Sequence, residues 1–308
     1  MNSKEGDFVA LIPKGTDEKR VSTAANGNGV TTTTSFALEE PQYSFEDIIL
    51  SKSIVSALLD VISSFQNYNR IFEDWGLKHR YKNHKNLAVN LYGLPGTGKT
   101  MAAHAMVDKL GKKIICVNYA NIESKYVGDT SKNLANLFTF ATEHDAVIFF
   151  DEADAVLSKR VTNMNNATDV SVNQTRSELL YLMNNYNGFL IFATNFITNF
   201  DKAFMRRIQF HINFELPTEE DRKALWELYI GDKMPVDVDI SKLAQAYGDI
   251  SGSDISTAVL KVAFRAAREN VSIISTEYFA SSIESIIQSQ LAQEGISMAP
   301  FNDCNIKE

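Results

Sequence analysis

Lys99 and Thr100 close the stretch Gly93-Leu94-Pro95-Gly96-Thr97-Gly98-Lys99-Thr100, which fits the pattern G-x-x-x-x-G-K-[ST]. The glycines let backbone N–H groups turn inward around phosphate oxygens, and a helix starting there adds its positive end. Lys99 then reaches β- and γ-phosphates, and the Thr100 hydroxyl becomes a ligand for Mg²⁺. The pattern needs a strand before it and a helix after it. Leu87 to Tyr92 is short, apolar and β-leaning, and Met101 to Val107 continues with helical periodicity up to a capping Gly111. Gly93, Pro95, Gly96, Thr97, Gly98, Lys99, Thr100 and Met101 are therefore candidate nucleotide contacts, and the expected ligand is a nucleoside triphosphate.

A second group with chemical potential is Asp151-Glu152, which follows the apolar run Ala146 to Phe150. A carboxylate at that strand end can hold Mg²⁺ together with Thr100, and the adjacent Glu152 can polarise an attacking water. Taken alone, the pair also reads as an acidic helix start, since Asp and Glu are favoured at helix N-termini.

Positioning these groups requires an α/β framework. Strands are expected at Leu87–Tyr92, Lys113–Tyr119, Ala146–Phe150, Phe189–Asn195 and Ile208–Phe214. Helices are expected over Ser131–Ala141, about Arg176 to Asn185, and Asp201–Arg207. A helical pattern is also expected from Phe45 onward, interrupted at Ser51-Lys52-Ser53. Alternation over units of about thirty residues means a parallel sheet with right-handed crossovers. Thr162 to Gln174 is polar and reads as a mobile loop. Past Leu216-Pro217-Thr218 the pattern turns helical to the end. The expected organisation is a disordered tail over residues 1–40, an αβα nucleotide-binding domain over 41–217 and a small helical lid over 218–308.

At this point the chain resembles the AAA+ ATPases, in particular the AAA clade of ring-forming protein remodellers, from about Tyr43 to Ala280. The resemblance implies that Asn195, in Phe192-Ala193-Thr194-Asn195, is the sensor that orients the lytic water. It implies that Arg206-Arg207 is an arginine-finger segment acting on a neighbouring subunit's γ-phosphate, which calls for a homo-hexameric ring. By the same resemblance Gly252-Ser253-Asp254 stands where the clade touches adenine and ribose. Asp47-Ile48-Ile49 stands at the adenine wall, with Ile49 in place of a glycine. Lys125-Tyr126-Val127-Gly128 matches the aromatic–hydrophobic–glycine pore loop of threading members, whose aromatic rings grip an extended chain. The polar loop after Lys159-Arg160 is the candidate second pore loop. The compact layout resembles the bacterial relatives of the pachytene-checkpoint ATPases, whose clients are HORMA-domain proteins and which sit with anti-phage signalling systems.

Composition narrows the alternatives. The 308 residues carry a formal charge of −8 and no Lys/Arg run, which speaks against nucleic acid as a partner. Two cysteines, Cys116 and Cys304, give neither a disulfide framework nor metal-ligand spacing. Met1 to Asp7 lacks a signal-peptide apolar region, and no apolar run reaches membrane-spanning length. A cytoplasmic Mg²⁺·ATP-driven remodeller of a protein client is the leading expectation. A nucleotide-switched assembly scaffold and a DNA-acting loader are the alternatives.

Overall fold

The computed structural model describes residues 36–80, 87–118, 129–158, 167–195 and 200–293. Five parallel strands form its central sheet: β1 (Leu87–Gly93), β2 (Ile114–Asn118), β3 (Val147–Asp151), β4 (Phe189–Thr194) and β5 (Phe210–Phe214), in the order β2-β3-β4-β1-β5. Helices α1 (Lys52–Gln66) and α2 (Lys99–Leu110) cover one face. Helices α3 (Asp129–Glu143), α4 (Asp154–Leu157), α5 (Ala167–Asn185) and α6 (Lys202–Met205) lie toward the other. Strands β3 and β4 are buried along nearly their whole length, as parallel strands sandwiched by helices must be. Each face has its own apolar cluster. One gathers Leu137, Phe150, Leu179 and Phe192, the other Leu58, Val89, Met106 and Phe149.

Three expectations change. The helix expected from Phe45 begins at Lys52, because Ser51 caps it by accepting from the Ile54 N–H. Upstream, the Asp47 carboxylate closes a turn by accepting from Ser44 N–H and Oγ, both at 2.7 Å, and these bonds hold it below its ordinary pKa. Phe45, from that turn, and Ile48 and Leu50, from the irregular chain after it, still pack on the core. The loop expected over Thr162–Gln174 is helical from Ala167, so α5 starts nine residues before Arg176. No Gly or Pro interrupts it, and buried Arg176 pins it to α4 by donating to the Val156 carbonyl (3.2 Å) and Ser158 Oγ (2.6 Å). Residues 36–40, assigned to the tail, lie along the β2 edge. Glu39 and Ile114 exchange two backbone hydrogen bonds of 2.9 Å, covering an otherwise unpaired strand edge.

Past Pro217 come α7 (Glu219–Ile230), α8 (Ile240–Ala246), α9 (Gly252–Glu269) and α10 (Thr276–Gln293). This part is not wholly helical, because β6 (Val236–Asp237) and β7 (Ile274–Ser275) pair in parallel. Reciprocal capping boxes, Thr218 with Asp221 and Ser251 with Asp254, start α7 and α9. A third apolar cluster fills it, with Trp226 edge-on to Phe279. Among the described residues, no helix is long and apolar enough to cross a membrane.

Arg222 stitches this cluster to the junction. It is buried and donates to the carbonyls of Ala244 (2.9 Å), Pro217 (2.7 Å) and Gly248 (3.2 Å). Truncation strands those acceptors. Arg222→Ala is expected to cost about 2–4 kcal/mol in urea unfolding; a change within about 0.5 kcal/mol contradicts this reading.

Candidate nucleotide site

The candidate groups converge because neighbouring parallel strands end together. Gly93 ends β1, Thr194 ends β4 just before Asn195, and Asp151 ends β3, and these three strands are adjacent in the sheet. Ligands in open α/β sheets sit beyond such carboxyl ends. Gly93 takes φ +143, and a Cβ there would lie 2.1 Å from the Phe214 carbonyl oxygen. The chain then bends through Gly96 and Gly98 into α2.

Within the loop, Thr97 Oγ1 donates to the Leu94 carbonyl at 2.8 Å. Lys99 is buried, and its Nζ donates to the carbonyls of Gly93 and Leu94, both at 2.8 Å. Burial lowers its pKa, and the nearby carboxylates of Asp151 and Asp154 oppose that shift. The ammonium thus lies under the loop, next to the sheet edge.

Thr100 Oγ1 donates to Asp151 Oδ2 at 3.0 Å, and Asp151 Oδ1 accepts from the Glu152 N–H at 3.0 Å. Glu152 itself takes φ +50, a left-handed conformation that is strained for a side chain of this kind. The strain turns its exposed carboxylate out of the strand direction at the cleft. A hydroxyl and a carboxylate side by side are hard oxygen donors of the sort Mg²⁺ takes, one or two from protein and the rest from water and phosphate. Among the described residues no cluster of three or more His, Cys, Asp or Glu offers an all-protein cage.

One cavity of about 530 Å³ joins these groups. Its walls include Ile48 and Ile49 on one side, Pro95 through Met101 below, and Asp151, Glu152 and Asn195 at the far end. Gly252 and Ser253 close it from α9, with Leu228 and Tyr229 from α7. Ile48 packs with the α1–α2 cluster and Ile49 with the C-terminal one, so this segment bridges the two. The Ser253 N–H donates to the Gly96 carbonyl at 3.2 Å. Gly96 has φ +75, and a Cβ there would stand 2.6 Å from Ser251 Oγ.

Arg206 and Arg207 are not among the residues that line the cavity. Arg206 is exposed, while Arg207 is tied within the chain, donating from Nε to Asn184 Oδ1 (2.9 Å) and from Nη1 to the Ala203 carbonyl (3.0 Å). Lys125, Tyr126, Val127 and Gly128 lie outside the described residues, as do Lys159 and Arg160. Sequence reasoning missed Asp154. Its Oδ2 accepts the Asn195 N–H at 3.2 Å, fixing the residue that follows β4 against the start of α4. The available signal was its place three residues after Asp151, one helical turn into the acidic run.

A phosphate-binding loop on a parallel sheet, faced by a helical part, defines a P-loop nucleotide-binding protein. The family model described as "ATPase family associated with various cellular activities (AAA)" matches residues 89–216. Cell division protein C of Sulfolobus acidocaldarius is 32% identical over 262 residues, covering 80% of this chain and 67% of that protein. A 26S proteasome regulatory subunit 4 homolog of Schizosaccharomyces pombe is 28% identical, covering 81% of this chain and 56% of its own length. A proteasome-activating nucleotidase of Methanopyrus kandleri is also 28% identical, covering 83% and 59% respectively. The chain belongs to the AAA family of ATPases, and it spans a little over half the length of the last two relatives.

Because Gly96 meets the lid at closest approach, Gly96→Ala adds about 1–3 kcal/mol of backbone strain and a clash with Ser251. Nucleotide affinity by fluorescence titration is expected to fall about tenfold or more with the fold retained by circular dichroism. Unchanged affinity would separate the loop from the lid contact.

Proposed function

We propose that this protein is a Mg²⁺·ATP-driven motor that remodels part of a protein client. The observation carrying the proposal is the Thr100–Asp151 hydrogen bond beside Glu152, in the same cavity as Asn195 and the phosphate loop. In this reading ATP lies along the loop, with Lys99 on its β- and γ-phosphates. The base packs between Ile48–Ile49 and the Gly252-Ser253 end of α9. Thr100 and Asp151 would hold Mg²⁺, which would supply positive charge against that of the phosphates. Glu152 accepts a proton from the attacking water, and Asn195 orients that water. Residues 41–217 form the nucleotide-binding domain and 218–308 the lid.

The arginine pair completes the site from outside. Neither residue reaches this chain's own cavity, which suits a role on the nucleotide of the next subunit in a homo-hexamer. Positive charge delivered there offsets the charge of the transition state. Arg206 is the exposed member and the one proposed to reach across, while Arg207 anchors the segment to α5 through Asn184. Lys125-Tyr126-Val127-Gly128 is proposed to line the ring's channel. Relatives named for the proteasome support a protein client over nucleic acid. The narrower reading, a HORMA-domain client opened in cytoplasmic anti-phage signalling, rests on the resemblance of the motif layout.

Glu152→Gln is expected to keep Mg²⁺·ATP affinity within about threefold and to lower turnover by about 10²-fold or more, the range a positioned base supplies. Held with ATP, that variant should retain its client on a particle of six-subunit mass, and mass spectrometry of the retained protein tests the HORMA reading. Unimpaired turnover removes Glu152 as the base. A particle retaining no protein favours the scaffold, and one retaining nucleic acid favours the loader.

A further inference from the structure

A polar pair is buried in the sheet face that carries the arginine segment, and none of the roles above uses it. Asn90, in the central strand β1, is completely buried. Its side-chain oxygen accepts from the Thr194 hydroxyl at 3.3 Å, while Nδ2 has no hydrogen-bond partner among the described residues. The register of β1 with β5 places His211 beside Asn90, and paired residues of neighbouring strands stand on the same face. Both ring nitrogens of His211 are likewise buried without a partner there.

Buried polar groups left unpaired are few in folded proteins, and each calls for a reason. An apolar filling would suit this place better. Ala88, Leu190 and Phe192, on the same face, all belong to the apolar cluster. A leucine at position 90 would join it without an unsatisfied amide.

The pair's position supplies the reason. At one end Thr194 is followed directly by Asn195, which lines the nucleotide cavity. At the other end His211 stands in β5 four residues after Arg207, and Gln209 between them ties this stretch to β1, its Oε1 accepting the Ala88 N–H at 2.7 Å and its N–H donating to the Ala88 carbonyl at 3.1 Å. Burial holds this imidazole below its ordinary pKa. The span therefore runs from the residue next to the candidate sensor to the backbone that carries the arginines.

We propose that Asn90 and His211 are positioning residues that hold the Arg206 segment in place against β4, and so set where one subunit presents Arg206 to the nucleotide of the next. The proposal rests on the reading of Arg206 as a group acting between subunits. It makes Asn90 a residue of the arginine-donating subunit, although it lies only three residues before Gly93, where β1 ends and the phosphate loop begins.

Mixed rings separate the two sides of that contact. Glu152→Gln subunits keep their arginines and lose hydrolysis, while Arg206→Ala subunits keep their hydrolytic groups and lose the arginine. Mixing them should restore turnover at Arg206→Ala sites that border a Glu152→Gln donor. Asn90→Leu added to the donor is expected to cut the restored turnover about tenfold, the scale of a misplaced group. Added to the Arg206→Ala subunit it should leave turnover within about twofold. Nucleotide affinity of Asn90→Leu should be unchanged and its thermal midpoint equal or higher. His211→Phe in the donor should repeat the loss, and it carries the test should Asn90→Leu fail to fold. Undiminished turnover with the donor variants, or a loss confined to the acceptor subunit, overturns the proposal. A parent mixture that restores nothing overturns the trans-arginine reading itself, and this proposal with it.

Discussion

The Thr100–Asp151 hydrogen bond joins two parts of the chain that the sheet keeps apart. Thr100 lies at the start of α2, one residue past the loop that ends β1, and Asp151 ends β3; strand β4 runs between them. The bond forms only because three parallel strands stay in register to their carboxyl ends. That register is enforced by burial. A one-residue slip in β4 would exchange Leu190 and Phe192, which face one cluster, for Phe189 and Ile191, which face the other. It would also carry Asn195 out of the cavity. The chemistry of the site thus depends on the apolar patterning of strands that touch no ligand.

The second dependency is the contact between loop and lid. Gly96 and Ser253 meet backbone to backbone, and the Ser251–Asp254 capping box fixes the α9 end that meets the loop. Ile49, which packs with the C-terminal cluster, ties the chain before α1 into the same arrangement. A ligand lying in this cavity would touch both parts, so its binding and release are coupled to the lid's position.

Much of this was legible from residue types. The phosphate loop needs glycine where side chains cannot fit, and Gly93 and Gly96 have the close approaches that the pattern implies. Strands β3 and β4 were readable as unbroken apolar runs. The start of α1 was not, because Phe45, Ile48 and Ile49 pack from a turn and irregular chain while mimicking helical spacing. The α5 start was hidden for the opposite reason, since a polar stretch can be helical when a distant anchor such as Arg176 holds it. Asp154, Asn90 and His211 were invisible singly. Each matters through a neighbour that only the fold supplies: the Asn195 N–H, the Thr194 hydroxyl and, for His211, Asn90 on the adjacent strand.

The proposed function requires Mg²⁺·ATP to bind in the cavity between the loop and the C-terminal helices. Calorimetric titration of Mg²⁺·ATP into the wild type and into Lys99→Ala tests this most directly, because Lys99 is buried beneath the loop and, among the described residues, its hydrogen bonds go to the loop's own carbonyls. One site per chain is expected in the wild type, with affinity falling at least about tenfold in Lys99→Ala, the loss of one charge-assisted contact to phosphate. Equal affinity in the two proteins would place the nucleotide elsewhere and contradict the account.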